Sequence, residues 1–287
     1  EVPREDIDPA EDVSLIVYTS GSTGMPKGAM LTYRNAWYKT DCVAKNYHYT
    51  EKDVHLCVMP IFHIAGLLFS ANTPLYTGGT IVMLTRFDAG AALQAISKWK
   101  VTSAYTVVPM NLDMMEHPES KTCDFSSFRI NPCTSFGVQL SEEIGKRWFE
   151  LTGAPLFEIA YGLSETHTGD TLMPLDGIKY GCHGKPNPGT QIRIVSLEDS
   201  KTEVSVGEEG EITIKSPGVF KGYLNKPEAT AQALRDGWLY TGDIGKFDEE
   251  GYLYFLGRRK EMIKCSGYSV FPEEVEQMLL RHPAVKM

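Results

Sequence analysis

The stretch Tyr18-Thr19-Ser20-Gly21-Ser22-Thr23-Gly24-Met25-Pro26-Lys27-Gly28 concentrates the groups that hold an anion. Its glycines let successive backbone N–H groups turn toward one point, the hydroxyls add donors, and Lys27 brings a mobile positive charge. These are the requirements of a phosphate cradle. The run is not the common P-loop, because no glycine directly precedes Lys27 and no Ser or Thr follows it. The bland alternative is a flexible Ser/Gly linker. A linker has no reason to follow an apolar strand so closely, and residues 14–18, Ser-Leu-Ile-Val-Tyr, read as a buried strand.

The elements that must position such a loop have an α/β rhythm. Residues 80–84 and 103–108 read as strands, separated by a helix that opens near Asp88 and carries Ala92, Ile96 and Trp99 on one face. Strand, helix, strand at this separation predicts a parallel βαβ unit. Ser141 opens another helix, with Ile144, Trp148 and Leu151 at i, i+4 and i+7, leading to a strand at 155–160. After about Gly184 the texture changes to short alternating runs, 191–195 and 211–215, broken by Gly and Pro, which predicts a small antiparallel sheet or barrel. One more strand at 251–256 precedes Arg258-Arg259-Lys260, and a helix from Pro272 should turn Val275, Met278 and Leu279 inward.

With 287 residues, 42% hydrophobic and 23% charged, the chain can bury one large or two medium cores. Its longest apolar stretch, 61–71, is interrupted by His63 and falls far short of the ~20 residues of a membrane helix. It reads as core. The start, Glu1-Val2-Pro3-Arg4-Glu5-Asp6, lacks the basic and apolar segments of a secretory signal. Cys42, Cys57, Cys123, Cys133, Cys182 and Cys265 form no Cys-x-x-Cys pair, so neither a zinc site nor a disulfide framework is expected, and a reducing cytoplasm fits best. A net charge of −9 argues against nucleic acid or an anionic membrane as partner. Cations for an anionic ligand must therefore be concentrated locally.

The run around Lys27 resembles the phosphate loop of the adenylate-forming superfamily, which includes acyl-CoA synthetases, firefly luciferases and the adenylation domains of peptide synthetases. The resemblance recurs in order at Tyr161-Gly-Leu-Ser-Glu-Thr166, Gly222-Tyr-Leu-Asn225, Gly237-Trp-Leu-Tyr-Thr-Gly-Asp243 and Gly257-Arg-Arg-Lys-Glu-Met-Ile-Lys-Cys-Ser-Gly-Tyr268. By that resemblance Thr19, Ser20, Gly21, Ser22, Thr23, Gly24 and Lys27 would cradle the phosphates of ATP. Gly137 would belong to the adenine loop, Tyr161 would stack on adenine beside Gly162, and Ser164 would lie near the α-phosphate. Glu165 would hold Mg2+ with the Thr19 hydroxyl, which suffices for an ion that shares itself with phosphate. Asp243 would accept both ribose hydroxyls, with Arg258 beside it.

The resemblance also implies a moving part. Lys260 would mark the hinge on which a small domain swings between adenylation and thioester formation. Lys264 would face the active site in the second orientation, Gly267 would line the pantetheine channel of coenzyme A, and His63 would gate the way from acyl pocket to thiol channel. Catalysis would then rest on Lys27, Glu165, His63 and Lys264. Outside this resemblance Glu165 reads as a solvated acid, Asp243 as a turn residue, residues 258–260 as a surface patch and His63 as a core histidine. The implied class is α/β. A parallel-rich βαβ part of a large domain covers 1–183, a small antiparallel β-barrel-like part 184–257, and the hinge with the start of a C-terminal α+β domain 258–287.

Two departures matter. Phe136 and Val138 stand where the family's adenine loop has smaller residues, which would reshape the floor of the acyl pocket. The phosphate loop also begins at position 19 and the chain ends at 287, so a fragment without the family's late lysine is expected, one that binds nucleotide but makes acyl-AMP poorly. The expected activity is ATP- and magnesium-dependent activation of a carboxylic acid through acyl-AMP and its transfer to coenzyme A, with no nucleic acid, no integral membrane segment and a homodimer left open. Gly257-Arg258 leans toward fatty acids, because many aryl-acid ligases carry an acidic residue before that arginine. An amino-acid substrate is disfavoured, since no Asp follows Pro60 to meet an ammonium group. The competing class is a non-catalytic nucleotide-binding module, against which Lys27, Glu165, Asp243 and Arg258 count together.

Overall fold

The computed structural model describes residues 6–19, 25–265, 268–280, 282 and 285. Its central sheet is all-parallel, with the strands in the order Thr80–Met83, Val54–Cys57, Ser103–Val107, Asn131–Thr134 and Leu156–Glu158. Helices Ala89–Trp99, Val108–Glu116 and Glu142–Thr152 make the returns. Their starts are encoded locally. Asp88 accepts a hydrogen bond from the Ala91 N–H at 2.8 Å, and Ser141 from the Ile144 N–H at 3.2 Å, each satisfying a first-turn donor. Leu56, Ala92, Ile96, Trp148 and Leu156 share one core between sheet and helices. Trp99, expected on that face, is instead exposed: it is the last helical residue, and Lys100 then turns left-handed at φ 51°.

The strand before the predicted phosphate loop stands apart from this sheet. Val13–Thr19 pairs antiparallel with Lys27–Thr32, which also pairs with Gly222–Tyr223. One face of this antiparallel sheet is covered, so Leu15 and Val17 pack on Ala29 and Leu31 while Ile16 and Tyr18 are exposed, as is Val13 beyond a register shift. The expectation of a buried strand is corrected accordingly. A five-stranded antiparallel sheet follows, built on the ten-residue strand Trp238–Phe247, which carries Gly210–Lys215, Leu234–Arg235 and Leu253–Arg258. Gln191–Val195 extends it along Gly210–Lys215.

Two apolar segments expected to be core are so only in part. Residues 64–71 are largely buried, but Ile61, Phe62 and His63 are exposed, because the chain crosses the rim of a cleft there. Helix Pro272–Leu280 forms where expected, yet Val275, Met278 and Leu279 are exposed. Their spacing makes an apolar stripe that the described residues leave uncovered. Among the described residues no helix is long and apolar enough to cross a membrane.

Candidate active site

Strands Asn131–Thr134 and Leu156–Glu158 of the parallel sheet end at a cleft of about 710 Å³, closed on its other sides by the Val13–Thr19 hairpin and by strands Trp238–Phe247 and Leu253–Arg258. The carboxyl ends of parallel strands are where open α/β sheets place their ligands.

At one end Thr19 and Lys27, the residues that close the hairpin, line the cleft. The Lys27 ammonium lies 5.0 Å from the centre of the Tyr223 ring, and the Tyr223 hydroxyl donates to Glu165 Oε1 at 2.7 Å. Cation, phenol and carboxylate thus stand in a row. Glu165 sits in the single turn Ser164–Thr166, which begins just after Gly162. A Cβ at Gly162 would lie 2.4 Å from the Gly169 nitrogen, so the chain can fold back here only with glycine.

The turn that presents Tyr161, Ser164 and Glu165 is braced from beneath. Lys39, fully buried, donates to Asp170 Oδ1 at 2.6 Å and to the Gly169 carbonyl at 3.0 Å. Thr166 donates to the other Asp170 oxygen, and the Asp170 N–H reaches back to the Tyr161 carbonyl at 2.7 Å. Burial pulls the Lys39 pKa down and pushes that of Asp170 up, while each charge opposes the shift of the other. His167, buried in the same turn at φ 58°, is held neutral by burial, its pKa lowered to about 4.

At the far end the buried Tyr161 ring stacks on Phe255 with centroids 6.0 Å apart, and its hydroxyl donates to Asp243 Oδ2 at 2.8 Å. Asp243 lies within a strand rather than in a turn and is directly opposite Arg258 across the antiparallel pair. Its Oδ1 has no hydrogen bond among the described residues, the Arg258 Nε standing 3.5 Å away. Burial pushes the Asp243 pKa up to about 6, against the pull of Tyr161 and Arg258. The side wall holds His63, whose Nδ1 caps the next turn by accepting from the Ala65 N–H at 3.3 Å, and Glu158. Ser135 donates to Glu158 Oε2 twice, from its N–H at 2.9 Å and its hydroxyl at 2.5 Å, and burial raises the Glu158 pKa to about 7.

Of the residues expected from sequence, Thr19, Lys27, His63, Tyr161, Gly162, Ser164, Glu165, Asp243 and Arg258 meet in this cleft. Gly137 does not line it: it is an exposed residue at φ 75°, and Thr134 and Ser135 face the cleft instead. Lys260 lies in the exposed turn after Arg258 and is likewise off the wall. Ser20, Gly21, Ser22, Thr23, Gly24 and Gly267, with the side chain of Lys264, lie outside the described residues. Sequence reasoning missed Tyr223, Ser135, Glu158 and His183. Tyr223 stood inside a quoted motif, and Glu158 was an acid inside an apolar strand, which is signal enough to ask what it meets.

The sequence matches the AMP-binding enzyme family over residues 1–224. The chain belongs to that family. It is 39% identical to the long-chain-fatty-acid–CoA ligase of Bacillus subtilis over 283 residues, 98% of this chain and 50% of that protein. It is 36% identical over 278 residues to a feruloyl-CoA synthase of an Amycolatopsis species, with 96% of this chain and 55% of that one covered. Among solved structures, the o-succinylbenzoate coenzyme A synthetase of Bacillus subtilis in complex with ATP and a magnesium ion matches with a TM-score of 0.84 at 32% identity, covering 98% of this chain and 58% of that one. The chain therefore spans about half the length of the curated relatives it matches.

Proposed function

We propose that the cleft is the adenylation site of an AMP-forming acid–thiol ligase, which activates a carboxylic acid as acyl-AMP and passes it to coenzyme A. Asp243 carries this reading. A buried carboxylate with one oxygen held and the other facing only an exposed arginine at 3.5 Å, without a hydrogen bond among the described residues, costs free energy unless a ligand supplies donors, and the adjacent hydroxyls of a ribose supply two. From there the α-phosphate would lie toward Ser164 and the outer phosphates toward Thr19 and Lys27. Among the described residues no three His, Cys, Asp or Glu side chains form a metal cluster. Glu165, with Oε2 left over from its bond to Tyr223, and the Thr19 hydroxyl suit a magnesium ion that arrives with the nucleotide and keeps phosphate and water ligands. When bound, magnesium neutralises phosphate charge.

The chemistry follows from the leaving group. A free carboxylate would have to expel oxide, so one of its oxygens first attacks the α-phosphorus, forming a P–O bond while pyrophosphate leaves with the electron pair of the broken one. Lys27 and the loop amides offset the charge gathering on that pyrophosphate. The thiolate of coenzyme A then attacks the acyl carbon and AMP departs, with His63 at the rim between the two paths and Lys264 and Gly267 serving the second step. Gly257-Arg258 and the Bacillus ligase favour a fatty acid, whereas the polar wall at Ser135 and Glu158 and the feruloyl-CoA relative favour an aryl acid.

The test is pyrophosphate release, by a protein that carries this chain at the full length of its relatives, with acetate, medium- and long-chain fatty acids, benzoate and coumarate, and with Lys27→Ala as control. One acid should stand out, and the variant should lose that response. Mg-ATP binding that no acid alters, with no acid-dependent release, would sink the reading and leave a nucleotide-binding module.

A further inference from the structure

The side wall of the cleft holds a carboxyl that the adenylation chemistry above does not use. Glu158 ends the strand Leu156–Glu158 and is 6% exposed, and it lines the cleft beside Thr134 and Ser135. Both donations from Ser135 fall on Oε2, so Oε1 is without a hydrogen bond among the described residues. Among the described residues no cation acts on Glu158: burial raises its pKa and the two bonds from Ser135 oppose that. Its neighbours in sequence, Phe157 and Ile159, are buried apolar residues. An acid inserted into such a strand costs free energy that leucine would not, unless its second oxygen is used.

The Ser135 bonds also aim the carboxyl. The Ser135 hydroxyl that donates to Oε2 accepts from the Leu140 N–H at 2.9 Å, which ties the loop after Asn131–Thr134 to the wall and fixes Oε2 at the loop. We infer that Glu158 is a specificity-determining residue: with Oε2 anchored, Oε1 accepts a hydrogen bond from an N–H or O–H donor carried by the ligand in the cleft. This rests on the adenylation reading and deepens it. Two parts of the ligands could carry that donor, the amino group of the nucleobase or a hydroxyl or amine on the acid. An unsubstituted alkyl chain against this wall would leave Oε1 unpartnered. The bland alternative is that Glu158 only braces the 135–140 loop.

Glu158→Gln separates these cases, because the amide oxygen can keep the Ser135 bonds while an NH2 group replaces the acceptor facing the ligand. Dissociation constants are measured by calorimetry for matched pairs that differ only in the donor: ATP against purine riboside triphosphate, benzoate against 4-hydroxybenzoate, and hexadecanoate against its terminally hydroxylated form. Measured at about pH 8.5, above the Glu158 pKa of about 7, the unmodified protein should prefer the donor-bearing member of one pair by about tenfold or more, as expected for a hydrogen bond to a charged group, and the variant should bring that ratio to within about twofold. The pair that collapses names the source. Ser135→Ala, which frees the anchored oxygen, should reduce the same ratio and serves if the first variant does not fold. No preference in any pair, or a preference that survives both substitutions, overturns the inference and leaves Glu158 as a loop brace. Failure of the unmodified protein to bind Mg-ATP at all would instead strike the adenylation reading itself, and this inference with it.

Discussion

Asp170 and Asp243 are both buried aspartates within reach of the same turn, and they are completed differently. Asp170 has Lys39 on one oxygen and Thr166 on the other, so the chain itself satisfies it. Asp243 has Tyr161 on one oxygen and, among the described residues, no hydrogen bond on the other, which the Arg258 Nε approaches only to 3.5 Å. Glu158 resembles the second case in having both of its bonds on a single oxygen, although its other oxygen is not among the fully enclosed atoms that lack a partner. A buried carboxylate finished by the protein is scaffold, whereas one left half-finished at a cleft wall marks where a ligand is expected to supply the rest.

The comparison can be broken most forcefully on the scaffold side. Lys39→Met leaves Asp170 buried without its cation and should destabilise the chain by about 3–5 kcal/mol in denaturant unfolding, with Lys39→Met/Asp170→Leu recovering most of that loss. A loss below about 1 kcal/mol would mean that the pair does not hold the turn. On the ligand side, Asp243→Asn should weaken Mg-ATP binding by roughly ten- to a hundredfold without lowering the stability of the ligand-free chain. The sign follows from the acidity: folding raises the Asp243 pKa from 3.8 to about 6, so its ionised form destabilises the fold as pH climbs through that window. Thermal unfolding should therefore favour Asp243→Asn over the parent at pH 8 and show no difference near pH 3, and a uniform penalty at both would assign Asp243 to the scaffold.

The same acidity predicts a milder effect in the unmodified chain. Nucleotide affinity should fall as pH drops through about 6, where Asp243 gains a proton and loses acceptor capacity, and calorimetry between pH 5 and 8 would contradict this by showing a flat profile that Asp243→Asn leaves unchanged. The smallest effect belongs to Tyr223→Phe. Removing the hydroxyl that donates to Glu165 should cost about 0.5–1.5 kcal/mol of Mg-ATP binding, and no change would separate Tyr223 from the phosphate end.

What the sequence disclosed, and what it hid, follows from the same physics. The parallel core was legible because its helices announce themselves: Asp88 and Ser141 are both read and observed as N-caps, and Ala92, Ile96 and Trp148 are fully buried. Exposure was harder to read. An apolar run such as 14–18 looks the same whether one face or two are covered, and only the pairing shows Val13–Thr19 to be an edge strand. Trp99, Val275 and Met278 keep helical spacing yet remain exposed, since periodicity says which residues share a face and not what covers it. The residues of the cleft were legible where short motifs carry them, as at Tyr161, Glu165, Asp243 and Arg258. Ser135 lies in the stretch that reads as an adenine loop and is assigned no role there, Glu158 belongs to no motif, and the two, 23 residues apart, meet because Asn131–Thr134 and Leu156–Glu158 are neighbouring parallel strands.

The central claim is that Asp243 is left half-finished for a ribose. Binding of Mg-ATP and of its 2′,3′-dideoxy analogue to the parent chain and to Asp243→Asn tests it most directly. The account predicts that the parent prefers ATP by about tenfold or more and that the substitution removes the preference. Equal binding of both nucleotides by the parent, or a preference that persists in Asp243→Asn, would contradict it.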